Sequence, residues 1–123
     1  MHLKPTESEL EILQILWKDG PSSVRSINDQ LNKVRDVGYT TTLKLMQIMN
    51  DKGLTTRDTS SRTHIYTAAI KEVVTKNNLL TRFIDATFLG SAAQLVMEAL
   101  GNNDTTQEEL ERIKALIKKI ENQ

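Results

Sequence analysis

The chain has 123 residues, with 16 lysines and arginines against 16 aspartates and glutamates, so its formal net charge is zero. This length allows one ordinary domain, or one small domain with an appendage. Because the chain has no cysteine, it cannot form a disulfide, a cysteine-ligated zinc site, an iron–sulfur cluster or a thiol nucleophile.

The start of the chain, Met1 to Pro5, leads into no apolar stretch. Charged residues interrupt every hydrophobic run well before the roughly 18 residues that a membrane span requires. We therefore expect no signal peptide and no membrane insertion, and we expect a soluble protein of the cytoplasm.

Two helices are predicted before residue 32. Thr6 and Glu9 fit a capping box, in which a hydroxyl and a carboxylate satisfy each other's backbone donors. The strongly apolar helix that follows ends at Gly20, because the next residue is a proline. Ser22 or Ser23 then caps a second, shorter helix.

A third helix is predicted to begin at Thr40 or Thr41, as its cap, and to end at Gly53. Its apolar arc is formed by Leu45, Met46, Ile48 and Met49. After Gly53 the spacing changes, and segments 54–58 and 63–68, rich in threonine, isoleucine and tyrosine, predict a two-stranded hairpin with a polar tip. Because a lone hairpin is only marginally stable, it must pack on the helices.

Helical spacing returns over 71–88 and 91–100, and a second capping box, Thr105 with Glu108, opens a last helix that runs to about Ile120. These three helices are short for an independent core. We therefore predict a boundary near residue 70, with a homodimer formed through 71–123. The predicted dimerisation residues are Val73, Leu80, Ile84, Phe88, Leu110, Ile113, Ile117 and Ile120.

No catalytic motif is present: the sequence has no nucleophile elbow, phosphate-binding loop, dinucleotide fingerprint or zinc-protease motif. His64 has no second histidine nearby, so metal ligation is not predicted there. The acidic cluster at 108–111 opens a helix, where carboxylates favour the positive end of the dipole. We therefore predict no enzyme activity, no metal and no cofactor.

Three helices followed by a hairpin are typical of a winged helix-turn-helix, whose third helix enters the major groove of DNA. The predicted fold is mainly α with a small β-hairpin: a winged helix-turn-helix in 1–70 and a helical dimerisation region in 71–123. The predicted base-reading residues are Thr40, Thr41, Thr42, Lys44 and Gln47, whose hydroxyl, amide and ammonium groups suit base edges. Arg57, Arg62 and His64 of the wing suit the phosphate backbone or the minor groove.

A second interpretation uses the same residues without DNA. The threonines are then helix caps, the lysine and glutamine a solvated face, and the arginines ordinary hairpin charges. Three helices and a ribbon also serve as protein-docking modules, so a protein-interaction module stays open at this point.

The distribution of charge favours DNA over that alternative. Residues 1–20 carry a net −2 and residues 71–123 a net −1, whereas residues 21–70, with seven basic and four acidic side chains, carry +3. The positive charge therefore lies in the segments that would face a duplex.

The chain resembles the penicillinase repressors. The resemblance rests on the run Leu13 to Trp17, on Gly20 to Val24, and above all on the stretch from Gly38 to Leu54. The wing segment Arg62 to Tyr66 and pieces of the tail also fit. The matching segments keep their order from about residue 6 to residue 120.

This resemblance implies a dimeric repressor of transcription that binds a palindromic operator, often of an antibiotic-response operon. It also implies a membrane-bound sensor metalloprotease as a partner, because related repressors are cleaved in the dimerisation region and then leave DNA. The chain departs from the family pattern in two ways. The family's cleavage residues are absent at the aligned position, Glu98-Ala99, and the cysteines of a copper-sensing branch are absent too. Thr41 is neutral where a relative is basic, so the operator need not be shared.

Overall fold

The computed structural model describes residues 4–123, so Met1, His2 and Leu3, on which part of the prediction of no leader rests, lie outside the described residues. The described chain is mostly helical, with a small sheet. The helices are α1 Glu7–Asp19, α2 Val24–Leu31, α3 Tyr39–Asp51, α4 Glu72–Phe88, α5 Ala92–Asn102 and α6 Gln107–Glu121. The strands are β1 Ser22–Ser23, β2 Thr55–Asp58 and β3 Ile65–Ala68.

The sheet is antiparallel with strand order β1-β3-β2. Strands β2 and β3 form the predicted hairpin, with Thr55 opposite Ala68 and Asp58 opposite Ile65. Strand β1 was not predicted. It pairs its two serines with Tyr66 and Ile65, and thereby joins the hairpin to the turn between α1 and α2.

Two of the predicted helix starts are confirmed. Thr6 and Glu9 form the capping box, with the Thr6 amide donating to Glu9 Oε1 over 2.9 Å and the Glu9 amide donating to Thr6 Oγ1 over 3.2 Å. Ser23 caps α2 by accepting a hydrogen bond from the Ser26 amide. Both caps act within three residues, and such local pairs are readable from sequence.

Two other predicted starts are wrong. Helix α3 begins at Tyr39 after Gly38, which supplies no side-chain cap, so Thr40 and Thr41 lie inside its first turn. The box of α6 is formed by Thr106 and Glu109, one residue later than predicted. At α6 the neighbouring threonines offered equivalent candidates, and the backbone conformation selects Thr106. At α3 the extended backbone of Gly38 places the cap before both threonines.

The core lies where α1, α2 and α3 meet the sheet. Ten apolar side chains are buried in it, and they come from all three helices, from the residue before β2 and from β3, the central strand of the sheet. They are Ile12, Leu13, Leu16, Val24, Ile27, Leu31, Met46, Met49, Leu54 and Tyr66. Tyr66 and Leu54 attach the hairpin to the helices, as a two-stranded ribbon requires.

The described chain divides into two compact units, and the division falls inside α4, between Leu79 and Leu80. The first unit contains the core described above. The second, Leu80–Gln123, has no buried side chain, and its aromatic pair is Phe83 and Phe88, in edge-to-face contact at 5.8 Å.

Among the described residues, no single helix is long and apolar enough to cross a membrane. Helices α4 and α5 reach that length and composition only when taken together, and the chain bends by 88° between them.

Candidate nucleic-acid interface

The turn between α2 and α3 is fixed by a buried amide. Asn28 Nδ2 donates to Thr42 Oγ1 over 2.8 Å and to the Val37 carbonyl over 3.0 Å. Asn32 Nδ2 donates to the same carbonyl over 2.8 Å, and the Val37 amide returns a bond to Asn32 Oδ1 over 3.2 Å. These bonds hold the first turns of α3 against α2 and set the angle at which α3 leaves the helix pair.

Thr42 was predicted to read bases, and the structure contradicts that role. Its side chain is only 1% exposed, and its hydroxyl accepts the bond from Asn28. The helical period explains the error, because a residue one position beyond Thr41 turns 100° around the axis and faces the core.

The other four predicted residues of α3, namely Thr40, Thr41, Lys44 and Gln47, are exposed. Ile48 is exposed too, at 42%, although it was predicted to belong to the apolar arc. The outward face of α3 therefore carries two hydroxyls, an amide, an ammonium and one aliphatic side chain.

The tip of the wing is held by an aspartate. The Ser60 amide donates to Asp58 Oδ1 over 2.9 Å. Hydrogen bonds from the side chain and then the backbone of Ser60, with a smaller contribution from the charge of His64, lower the pKa of Asp58 below its usual value. Arg57, Arg62 and His64 are all exposed around this tip.

Helix α3 and the wing enclose an open concavity of about 390 Å³. It brings together four residues that were predicted separately from the sequence: Gln47 of α3 and Arg57, Arg62 and His64 of the wing. Thr40, Thr41 and Lys44 do not line it. The predicted site is thus one concave surface flanked by the exposed N-terminal half of α3.

One basic residue of this concavity was missed. Arg25, the second residue of α2, also lines it, and its guanidinium carbon lies 4.6 Å from the centre of the Tyr39 ring. The signal available was a lone arginine at the start of a predicted helix. Nothing in the sequence places it beside the wing, because the two segments are more than thirty residues apart.

The far end of α3 is anchored to α1. Lys52 Nζ, just past the end of the helix, lies 2.7 and 2.9 Å from the two carboxylate oxygens of Glu9, whose side chain is 2% exposed. Burial by itself raises the pKa of Glu9. The hydrogen bonds from Lys52 and Thr6, together with the charge of Lys52, outweigh that effect and lower it overall.

A model of the penicillinase repressor family matches residues 5–119. The chain belongs to this family. It is a family of transcriptional repressors and not of enzymes, which confirms the prediction of no enzyme activity.

Similar proteins span the same length. The methicillin resistance regulatory protein MecI of Mammaliicoccus sciuri is 23% identical over 114 residues, which are 93% of each chain. The MecI proteins of Staphylococcus aureus strain N315 and of Staphylococcus epidermidis are 22% identical over the same span. Among solved structures, the DNA-binding domain of the repressor BlaI aligns with a TM-score of 0.51 and 23% identity, over 58% of this chain and 90% of that one. This likeness confirms the winged-helix fold.

Residues 4–123 contain no group of three or more histidine, cysteine, aspartate or glutamate side chains that could hold a metal ion. The start of α4 is tied to the same unit. The indole Nε1 of Trp17 donates to the Ile70 carbonyl over 3.0 Å, Thr75 is buried, and Lys76 Nζ lies 5.8 Å from the centre of the Trp17 ring.

The predicted dimerisation residues of this family member lie on α4 and α6. Four of them are half-buried within the chain: Ile84, Phe88, Leu110 and Ile113. The other four are exposed: Val73, Leu80, Ile117 and Ile120. The apolar positions of both helices therefore keep substantial uncovered surface.

Proposed function

We propose that this member of the penicillinase repressors is a sequence-specific DNA-binding repressor that acts as a homodimer on a palindromic operator. Its winged helix occupies 1–70 and its dimerisation region 71–123, and it works in the cytoplasm. The observation that carries the proposal is the concavity between α3 and the wing, which gathers arginines beside the exposed polar face of α3.

The chemistry of that surface suits a duplex. Thr40, Thr41, Lys44 and Gln47 offer donors and acceptors to base edges, and a glutamine amide can pair with adenine through two hydrogen bonds. Arg57, Arg62 and His64 suit phosphates, which position a protein on DNA without specifying its sequence. The BlaI structure similar to this one is that of a DNA-binding domain.

Dimerisation supplies both affinity and release. Two linked modules gain avidity through their effective concentration, and protein symmetry is mirrored in operator symmetry. An inducing signal that breaks the region 71–123, such as cleavage by a membrane-bound sensor metalloprotease, then frees the operator. Glu98 and Ala99 lie within α5, and Asn102 Nδ2 donates to the Glu98 carbonyl over 3.1 Å, so cleavage there would first require this turn to open.

The experiment is selection of bound duplexes from a random pool by the full-length chain. We expect a two-fold symmetric consensus, and we expect Gln47→Ala to lose about 1–3 kcal/mol of discrimination at one position of each half-site. Gln14→Ala, an exposed glutamine on α1 away from the concavity, is the control and should leave the consensus unchanged. If the selected duplexes share no palindrome and the affinity does not change with salt concentration, the proposal is refuted and a protein-docking module is favoured.

A further inference from the structure

Arg25 is held in place before any ligand arrives. Its guanidinium stacks on Tyr39 at 4.6 Å, so the first turn of α2 is linked to the first turn of α3. A stacked guanidinium interacts with the ring through its face, which leaves the N–H groups at its edge available for hydrogen bonds. Because the side chain is already oriented, less rotamer entropy is lost when those N–H groups bind a partner.

The side chains that line the concavity together with Arg25 are basic or neutral. The concavity is lined by three arginines and a histidine, and no carboxylate is among its lining residues. Arg25, Arg57 and Arg62 have no ion-pair partner within residues 4–123. Arg35 differs, because its guanidinium pairs with Glu11 at 2.6 Å. Three arginines that line one concavity and form no ion pair among the described residues suit a phosphate, whose oxygens match the guanidinium fork.

We propose that Arg25, Arg57 and Arg62 form a single phosphate-binding site, and that the phosphate it takes is a backbone phosphodiester of the operator. The proposal rests on the proposed function and deepens it. Gln47 lines the concavity as well as belonging to the outward face of α3, so a phosphate bound here lies next to the bases that α3 would contact. Tyr39 acts as a positioning residue, because it orients Arg25.

The first test is Arg25→Gln in the full-length chain, measured as affinity for a duplex that the wild-type chain selects from a random pool. We expect affinity to fall about three- to tenfold and the slope of log affinity against log salt to become shallower by about 0.9 for each half-site. The preferred sequence should not change. Arg35→Gln removes the same charge outside the concavity and should leave the slope as it is.

The second test locates the phosphate. Each backbone phosphate of the selected duplex is replaced in turn by an uncharged methylphosphonate. At one position per half-site the replacement should lower the affinity of the wild-type chain for the duplex. The same replacement should not lower the affinity of the Arg25→Gln variant any further. Tyr39→Phe, which keeps the stacking ring, should behave as wild type, and Tyr39→Ala should reproduce part of the loss.

The outcomes separate this proposal from the one on which it rests. If the wild type selects no duplex, the proposed function fails. If the wild type selects a duplex but Arg25→Gln and Arg35→Gln behave alike, or if no single methylphosphonate masks the Arg25 effect, only the phosphate site fails. Binding of free pyrophosphate that depends on Arg25, with DNA affinity unchanged, would assign the site to a small phosphorylated ligand instead and overturn the proposal.

Discussion

The two compact units differ in how much of their apolar surface they bury. The first unit buries ten apolar side chains, whereas the second buries none and leaves Leu89, Met97 and Leu116 among its widely exposed residues. A unit made of the second half of α4 with α5 and α6, and without a core, is small for a chain that folds alone. The difference supports the proposal that the second unit is completed by another copy of itself.

The same local motif appears in both units and shows what burial adds. Thr6 with Glu9 and Thr106 with Glu109 form identical capping boxes. Glu9 is buried and paired with Lys52, so its box also anchors α3. Glu109 is exposed, and its pKa is lowered first by the backbone hydrogen bond at Thr106, so its box serves α6 alone.

The largest expected effect comes from breaking the second unit. Ile117 is 50% exposed on α6, and Ile117→Asp would place a charge in the proposed dimer contact. We expect a monomer by sedimentation and a roughly 100- to 10,000-fold loss of operator affinity, as avidity disappears. Ala115→Asp adds the same charge on the opposite side of α6, since the two positions lie 200° apart around the helix, and should stay dimeric. A dimeric Ile117→Asp protein would contradict the proposed interface.

A second pair of variants compares the two units by stability. Ile12→Ala empties a fully buried position of the first unit and should cost about 2–5 kcal/mol in the free energy of unfolding. That cost should be the same at every protein concentration. Ile117→Ala should instead lower the melting temperature by an amount that depends on protein concentration, because it acts on association. Thermal unfolding at two protein concentrations distinguishes these two responses. A shift in melting temperature for Ile117→Ala that does not depend on concentration would count against the dimer.

The smallest expected effect is a difference between the two capping boxes in how they make stability depend on pH. Because the folded pKa of Glu9 is lowered, its ionised form stabilises the fold above the unfolded value of about 4.3, and this contribution is lost as pH falls through the folded pKa. Glu9→Gln keeps a capping side chain but should lower the free energy of unfolding by about 1 kcal/mol at neutral pH. The free energy of unfolding of this variant should also fall less steeply as the pH is lowered. The fluorescence of Trp17, the single tryptophan, reports this transition in the first unit.

Glu109→Gln is the control for that measurement. It makes the same change in an exposed box, so the Trp17 transition should not move. Equal shifts for the two variants would show that the Lys52–Glu9 pair adds nothing beyond the cap.

Most features that depend on near neighbours were predictable from the sequence, although the cap of α3 and the capping box of α6 were placed at the wrong residues. Contacts between distant residues were not predictable. The Thr6 box, the α2 cap and the hairpin were readable because their partners are adjacent or a short turn apart. Strand β1 was missed because its partner Tyr66 is 44 residues away from Ser22. Thr42 was assigned to the wrong face because its partner, Asn28, lies 14 residues earlier.

The candidate site follows the same rule. Each exposed residue of α3 and the wing was chosen for its chemistry, but their meeting in one concavity, and the presence of Arg25 in it, depend on the packing of α2, α3 and the sheet. Periodicity also misplaced Ile48, because the core covers a narrower arc of α3 than its apolar residues span.

The hydrogen bonds at the α2–α3 turn have a consequence for how such a protein would work across cellular conditions. They join neutral groups only: the amides of Asn28 and Asn32, the hydroxyl of Thr42 and the backbone at Val37. Neither proton concentration nor dissolved ions weaken such bonds as they weaken contacts between charges. Under the proposed function, the shape that would select a sequence changes little with pH and salt, whereas the contacts of the arginines with the duplex would weaken as salt rises. The tightness of binding could then be adjusted without altering what is recognised.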